Sequence, residues 1–201
     1  MGSLLLLLLL ANCPYAGDLA FSPDGRALAR AVARGEPMAL FTELWVAQSE
    51  GTSPHRIKSY LGEPGDLCYH PDGRELVYLQ HSPFLTAYGS HLSAGRTIPL
   101  TRNRVWRLSV DGSSESLWPL PDDLQAMYIS VSPSGEQLAV SGSQGDLMDG
   151  SDRGLWLVDL HGKAVRLVTG HVLGPLEWSS DARTVRCTVS EAQALRDATV
   201  D

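Results

Sequence analysis

Phe21-Ser-Pro-Asp-Gly-Arg26 returns as Tyr69-His-Pro-Asp-Gly-Arg74, again as Val131-Ser-Pro-Ser-Gly-Glu136, and once more in degraded form as Trp178-Ser-Ser-Asp-Ala-Arg183. With Pro23, Pro71, Pro133 and Ser180 as equivalents, the offsets are 48 (71 − 23), 62 (133 − 71) and 47 (180 − 133). Self-similarity at such a period marks a repeat architecture, and the longer middle offset marks an insertion.

Apolar residues keep fixed places around this anchor. Leu19, Leu67, Ile129 and Leu176 lie four before it, and Phe21, Tyr69, Val131 and Trp178 lie two before it. Spacing by two predicts a strand with one buried face. Leu28, Leu76, Leu138 and Val185 come five after the anchor, beyond an Asp-Gly type turn that joins the strand to the next one. Each anchor is therefore read as a hairpin.

A second motif follows the first three anchors: Leu44-Trp45-Val46, Val105-Trp106-Arg107 and Leu155-Trp156-Leu157, each leading to a turn glycine at Gly51, Gly112 or Gly162. Beyond the glycine comes a fourth apolar stretch, such as His55 to Leu61 or Ala164 to Val168. One unit is thus four antiparallel strands, A to D from the centre outward. The pairing of FSPDG at 21–25 with LWVAQSEGTSPHRI at 44–57 resembles the repeat of TolB-like propellers, a WD-like architecture also found in the propellers of prolyl-oligopeptidase-type peptidases. The resemblance implies an all-β protein, a β-propeller of about four blades, each a four-stranded antiparallel sheet. It speaks for fold far more than for function, because the turn and the tryptophan are structural.

Length and composition agree with a single domain over 1–201: 43% hydrophobic and 19% charged residues suit a globular chain. Net charge is −7, and the basic residues are spread along the sequence, so the phosphate-neutralising stripe of a nucleic-acid binder is missing. Cys13, Cys68 and Cys187 are odd in number and far apart, which argues against a disulfide framework or a zinc site. Cys68 and Cys187 are read as buried thiols in strands.

The ends carry a question of their own. The fourth unit has strands A and B, and its turn glycine would fall one residue past Asp201, so its missing strand is D. Leu4 to Leu10 occupies the D place before the first anchor and is expected either to close the ring onto the last blade or to belong to a fragment of a larger propeller. The competing reading of 1–13 is a signal or lipoprotein segment, with a lipid anchor at Cys13 after Leu10-Ala11-Asn12. Leu4 to Ala11 is too short for a transmembrane helix, which needs about 20 residues.

Catalysis by a peptidase of the resembling family would need G-x-S-x-G, and the sequence has none; Gly150-Ser151-Asp152-Arg153-Gly154 lacks the central serine. The histidines show no metal-binding spacing, and His70 is read as a turn residue. No cofactor is expected. Two irregular B-to-C loops are the candidate binding rim, since long loops on a rigid scaffold carry function. One, between about Gln80 and Arg104, holds His81, Phe84, Tyr88 and His91; the other holds Asp146, Asp149 and Asp152. The acidic loop departs from the calcium pattern D-x-D-x-D-G. The expectation is a non-enzymatic scaffold with a protein partner. The alternative is a gating or substrate-selecting propeller from a prolyl-oligopeptidase-like enzyme. TolB-like resemblance implies the bacterial envelope or periplasm; a strand at Leu4 to Leu10 would instead suit a cytoplasmic protein. Lys58 and Lys163 are the only lysines among 16 basic residues, an arginine bias in keeping with a GC-rich bacterial genome.

Overall fold

The computed structural model describes residues 16–35, 41–81, 103–145, 152–190 and 194–199, with 16–18 and 194–199 described as backbone. All of its regular elements are strands, arranged in four antiparallel sheets in chain order. Blade 1 contains β1 (Ala16–Phe21), β2 (Ala27–Arg34), β3 (Phe41–Gln48) and β4 (His55–Leu61). Blade 2 contains β5 (Pro64–Tyr69), β6 (Glu75–Gln80), β7 (Arg104–Ser109) and the short β8 (Glu115–Leu117). Blade 3 follows with β9 (Leu124–Val131), β10 (Gln137–Gln144), β11 (Arg153–Asp159) and β12 (Ala164–Thr169). Blade 4 has three described strands, β13 (Val172–Trp178), β14 (Thr184–Val189) and β15 (Ala194–Thr199).

The repeat read from the sequence is a repeat of register. Phe21 pairs with Leu28, Tyr69 with Leu76, Val131 with Leu138 and Trp178 with Val185. Further out, Trp45, Trp106 and Trp156 pair with Arg30, Tyr78 and Val140, and Arg196 takes the tryptophan place opposite Cys187. The hairpin turn is built the same way each time. In blade 1 the Gly25 N–H donates to the Ser22 carbonyl at 2.8 Å, while the Asp24 carboxylate accepts from Ser22 Oγ at 2.7 Å and from the Arg26 N–H at 3.0 Å. Gly25, Gly73 and Gly135 hold the left-handed backbone that this turn demands, at φ 70°, 71° and 78°. In the degraded fourth copy Ala182 is forced into the same conformation at φ 58°.

Every innermost strand also carries an irregularity that its sequence pattern does not announce. The register slips between Ala16 and Leu19, Pro64 and Leu67, opposite Ser141 and Gly142, and between Leu173 and Glu177. An extra residue bends the strand and raises its twist. At Gly65 a Cβ would stand 2.7 Å from the Leu79 carbonyl oxygen, so the bend brings backbone too close for a side chain.

The core lies between the sheets. Ala29, Ala31, Leu44 and Val46 of blade 1 meet Leu67, Tyr69, Leu76 and Tyr78 of blade 2. Val77, Leu79 and Val105 of blade 2 meet Ile129, Leu138, Val140 and Trp156 of blade 3, and Ala139, Leu155 and Leu157 meet Leu176, Val185, Cys187 and Val189 of blade 4. Alternation along each strand thus serves two interfaces, one per face. Cys187 is buried as expected, whereas Cys68 is only half-buried, with Sγ donating to the Val77 carbonyl at 3.5 Å. Among the described residues the four sheets form an open array. The expected strand at Leu4 to Leu10 and the expected anchor at Cys13 lie outside the described residues.

Candidate binding rim

Because neighbouring strands run in opposite directions, the B-to-C loops and the D-to-A links emerge on one rim. The loop of blade 2 leaves β6 through His81 and returns to β7 through Asn103. Asn103, 4% exposed, bridges the two blades there: its Nδ2 donates to the Ala126 carbonyl of β9 at 2.8 Å and lies 2.9 Å from His81 Nδ1. The opposite ring nitrogen, Nε2, sits where a Cβ on Gly65 would approach to 2.9 Å. His81 is therefore clamped at the base of the loop. Phe84, Tyr88 and His91 lie outside the described residues.

The acidic loop of blade 3 is fixed at both feet. Gly145 N–H donates to the Asp123 carbonyl at 2.9 Å, Gln144 Nε2 donates to the Asp123 carboxylate at 2.9 Å, and Gln144 N–H donates to the Asp152 carbonyl at 2.9 Å. Asp152 itself is paired with Arg166, whose guanidinium lies 4.9 Å from the centre of the Trp156 ring. Asp152 stands at the foot of the loop, with its carboxylate partly exposed in that pair. Asp146 and Asp149 lie outside the described residues. Of the seven candidates, His81 and Asp152 fall within the described residues, each at the base of its loop.

Three further rim-side or interface groups went unnoticed in the sequence. Asp66, on the bend of β5, accepts the Ile129 N–H of blade 3 through Oδ2 at 2.5 Å. Ser141, 1% exposed, donates through Oγ to the Val172 carbonyl of blade 4 at 2.6 Å. Gln125, 3% exposed, has neither a donor nor an acceptor for its side-chain amide among the described residues. Of these, only the buried place of a polar residue on an inner strand could have drawn attention to Gln125.

The opposite rim is made of turns. His70 does more there than its sequence place suggests: Nε2 is 3.2 Å from the Gly135 carbonyl of the next blade, and Nδ1 is 3.0 Å from the Asp72 carboxylate. Backbone and serine donors hold the turn carboxylates Asp24, Asp159 and Asp181 below the ordinary aspartate range. At Asp111 the Ser113 N–H, then the hydroxyls of Ser113 and Ser109, bring the value down to about 2. These carboxylates are acceptors inside turns, spent on structure. A cavity of about 430 Å³ opens on this side of blade 3, beside Leu157, Val165, Leu167 and Lys163, away from the candidate rim.

Radial four-stranded blades with inter-blade cores and bent inner strands define a β-propeller architecture. Among solved structures the chain is similar to TolB from Acinetobacter baumannii, with 13% identity over 92% of this chain and 43% of that one, at a TM-score of 0.62. A protein assigned as TolB from Agrobacterium tumefaciens matches at 19% identity, covering 84% of this chain and 55% of that one, at a TM-score of 0.57. A puromycin hydrolase matches at 14% identity over 94% of this chain and 29% of that one, at a TM-score of 0.60. These neighbours are the two propeller groups that the repeat resembles, and the chain spans about half the length of the TolB structures. No family model matches the sequence, and no curated protein matches it. No helix among the described residues is long and apolar enough to cross a membrane.

Proposed function

We propose that the chain is a non-enzymatic propeller scaffold that holds a protein partner on the rim carrying its B-to-C loops. The observation that supports this reading is the anchoring of the two loop bases: Asn103 with His81 on blade 2, and Asp123 with Gly145 and Gln144 on blade 3. A rigid base lowers the ordering cost that a loop incurs on binding. The similarity to TolB structures favours a protein as the ligand class and the bacterial envelope as the location. The experiment is affinity capture from the native host with the intact chain and with a chain whose residues 82–102 are replaced by a two-residue turn. Loss of a specific captured protein in the shortened chain is expected; equal capture by both overturns the reading.

The similarity to a puromycin hydrolase favours a second reading, a gating or substrate-selecting propeller that works beside a hydrolase domain. It requires a G-x-S-x-G hydrolase encoded next to this chain. A neighbouring reading frame of that kind supports it, and an unrelated neighbourhood counts against it.

A further inference from the structure

His70 stands where the other three anchors carry serine, at Ser22, Ser132 and Ser179. Each of those serines keeps its hydroxyl inside its own turn: Ser22 on Asp24 at 2.7 Å, Ser179 on Asp181 at 2.6 Å, and Ser132 on Ser134 at 3.0 Å. Imidazole has two polar atoms where serine has one, and blade 2 uses the second outside the turn. Nδ1 lies 3.0 Å from the Asp72 carboxylate, in the place of the serine hydroxyl, while Nε2 reaches across the seam to the Gly135 carbonyl of blade 3 at 3.2 Å. A Cβ on Gly135 would stand 2.4 Å from Nε2, so the ring lies directly on the left-handed glycine of the next turn. The side chain is 14% exposed.

Both oxygens that the ring meets are acceptors. A ring with a proton on each nitrogen donates to both, whereas a neutral ring has one N–H to give. With that proton on Nε2, the Nδ1 lone pair has only the Asp72 N–H, at 3.5 Å the limit of hydrogen-bond range, and it faces the carboxylate at 3.0 Å. With the proton on Nδ1, a lone pair faces the Gly135 carbonyl instead. Burial of the ring works against the imidazolium, and the carboxylate and carbonyl work for it. Burial also pushes the Asp72 carboxyl up, but the Arg74 N–H and then the His70 ring outweigh it and hold the group below its ordinary value. The anion is thus in place whenever the ring titrates. Among the described residues Asp72 is the ion-pair partner of His70; Arg74 competes for that carboxylate, Glu75 is paired with Arg107, and the neighbouring turns bring Asp24 and Arg26 from blade 1 and Glu136 from blade 3.

We infer that His70 is a proton-operated latch between blades 2 and 3, in which the imidazolium joins the Asp72 carboxylate to the Gly135 carbonyl and the neutral ring lets one of them go. A cation that gains acceptors on folding contributes stability that is complete at low pH and is lost as the ring gives up its proton. Imidazole makes that change between about pH 5 and 8, so the seam tightens across this range as pH falls. The latch sits on the turn rim, opposite the loops, and needs nothing from the partner reading above.

The test is the urea midpoint of the whole chain at about pH 5 and about pH 8, on either side of the imidazole range. It is read beside His70→Ser, which restores the residue of the other three anchors, and Asp72→Asn, which leaves an acceptor for the Arg74 N–H but removes the charge. The remaining histidines are common to all three proteins, so differences between midpoints report on His70. The wild type is expected above His70→Ser at the lower pH, with the gap lost or reversed at the higher one, and Asp72→Asn is expected to lose most of that pH dependence. A gap between wild type and His70→Ser that is the same at both pH values, or that widens as pH rises, overturns the inference. Should His70→Ser fail to fold by circular dichroism, Asp72→Asn decides: a pH dependence equal to that of the wild type overturns the latch.

Discussion

The carboxylate of Asp66 accepts the backbone N–H of Ile129 at 2.5 Å, a hydrogen bond from the bent inner strand of blade 2 into the inner strand of blade 3. A sheet satisfies its own backbone groups, so adjacent sheets have few reasons to share one. This bond ties two blades at the bend of β5, beside the packing of Cys68 on the cluster that holds Ile129. Asp66→Ala should lower stability by about 1.5–3 kcal/mol, the usual range for a hydrogen bond to a charged group. Urea unfolding reads it, and a loss no larger than that of an exposed Asp→Ala control would show that the bond contributes nothing.

Tyr78 is 1% exposed, stacked on Tyr60 of blade 1 at 5.1 Å, and donates to Glu115 at 2.7 Å; Lys58 of blade 1 holds the same carboxylate at 2.7 Å. Burial first, and then the Glu115 hydrogen bond and charge, push the phenol far above its ordinary value of 10.0. An acid whose folded value is raised contributes stability that is complete below the unfolded value and is lost as pH rises above it. Folding stability should therefore begin to fall as pH passes 10, with Tyr78 ionising only as the protein unfolds. Tyr78→Phe should flatten that alkaline decline, and phenolate absorbance rising before the circular dichroism changes in the wild type would contradict the account.

Ala182 occupies the left-handed position that glycine fills in the other three anchor turns. A Cβ there costs roughly 1–2 kcal/mol, partly offset because glycine loses more backbone freedom on folding. Ala182→Gly should gain about 0.5–1 kcal/mol after that offset, while Gly25→Ala should cost at least as much. Melting temperatures of the pair in parallel check both signs.

Gln125 is buried, and its whole side-chain amide is unsatisfied among the described residues. Leaving such a group without a partner costs about 1–3 kcal/mol, so Gln125→Met, similar in volume, should raise the denaturation midpoint. A marked loss of stability in that variant would mean that the amide is satisfied in solution by an ordered water.

The blade is legible in the chain alone. Pro23, Pro71 and Pro133 with their turn residues fix each A-to-B hairpin, the period-two apolar residues fix the strand faces, and the tryptophans fix strand C. All of these are local chemistry repeated often enough to be read by eye, and the register confirms them at Phe21, Tyr69, Val131 and Trp178.

What joins blade to blade, and what is left over, emerges from the packing of the sheets. The bends of β1, β5, β9 and β13, the Asp66 to Ile129 bond, the contact of Asn103 with His81 and the pairing of Asp152 with Arg166 all join residues that are not neighbours in the chain. A single sequence shows that Asp152 is charged but not that Arg166 stands beside it. For the same reason Leu19 and Phe21 look like core residues in the sequence, since their repeat equivalents are; they are exposed because burial in a propeller is granted by the neighbouring blade, and blade 1 has none on that side among the described residues.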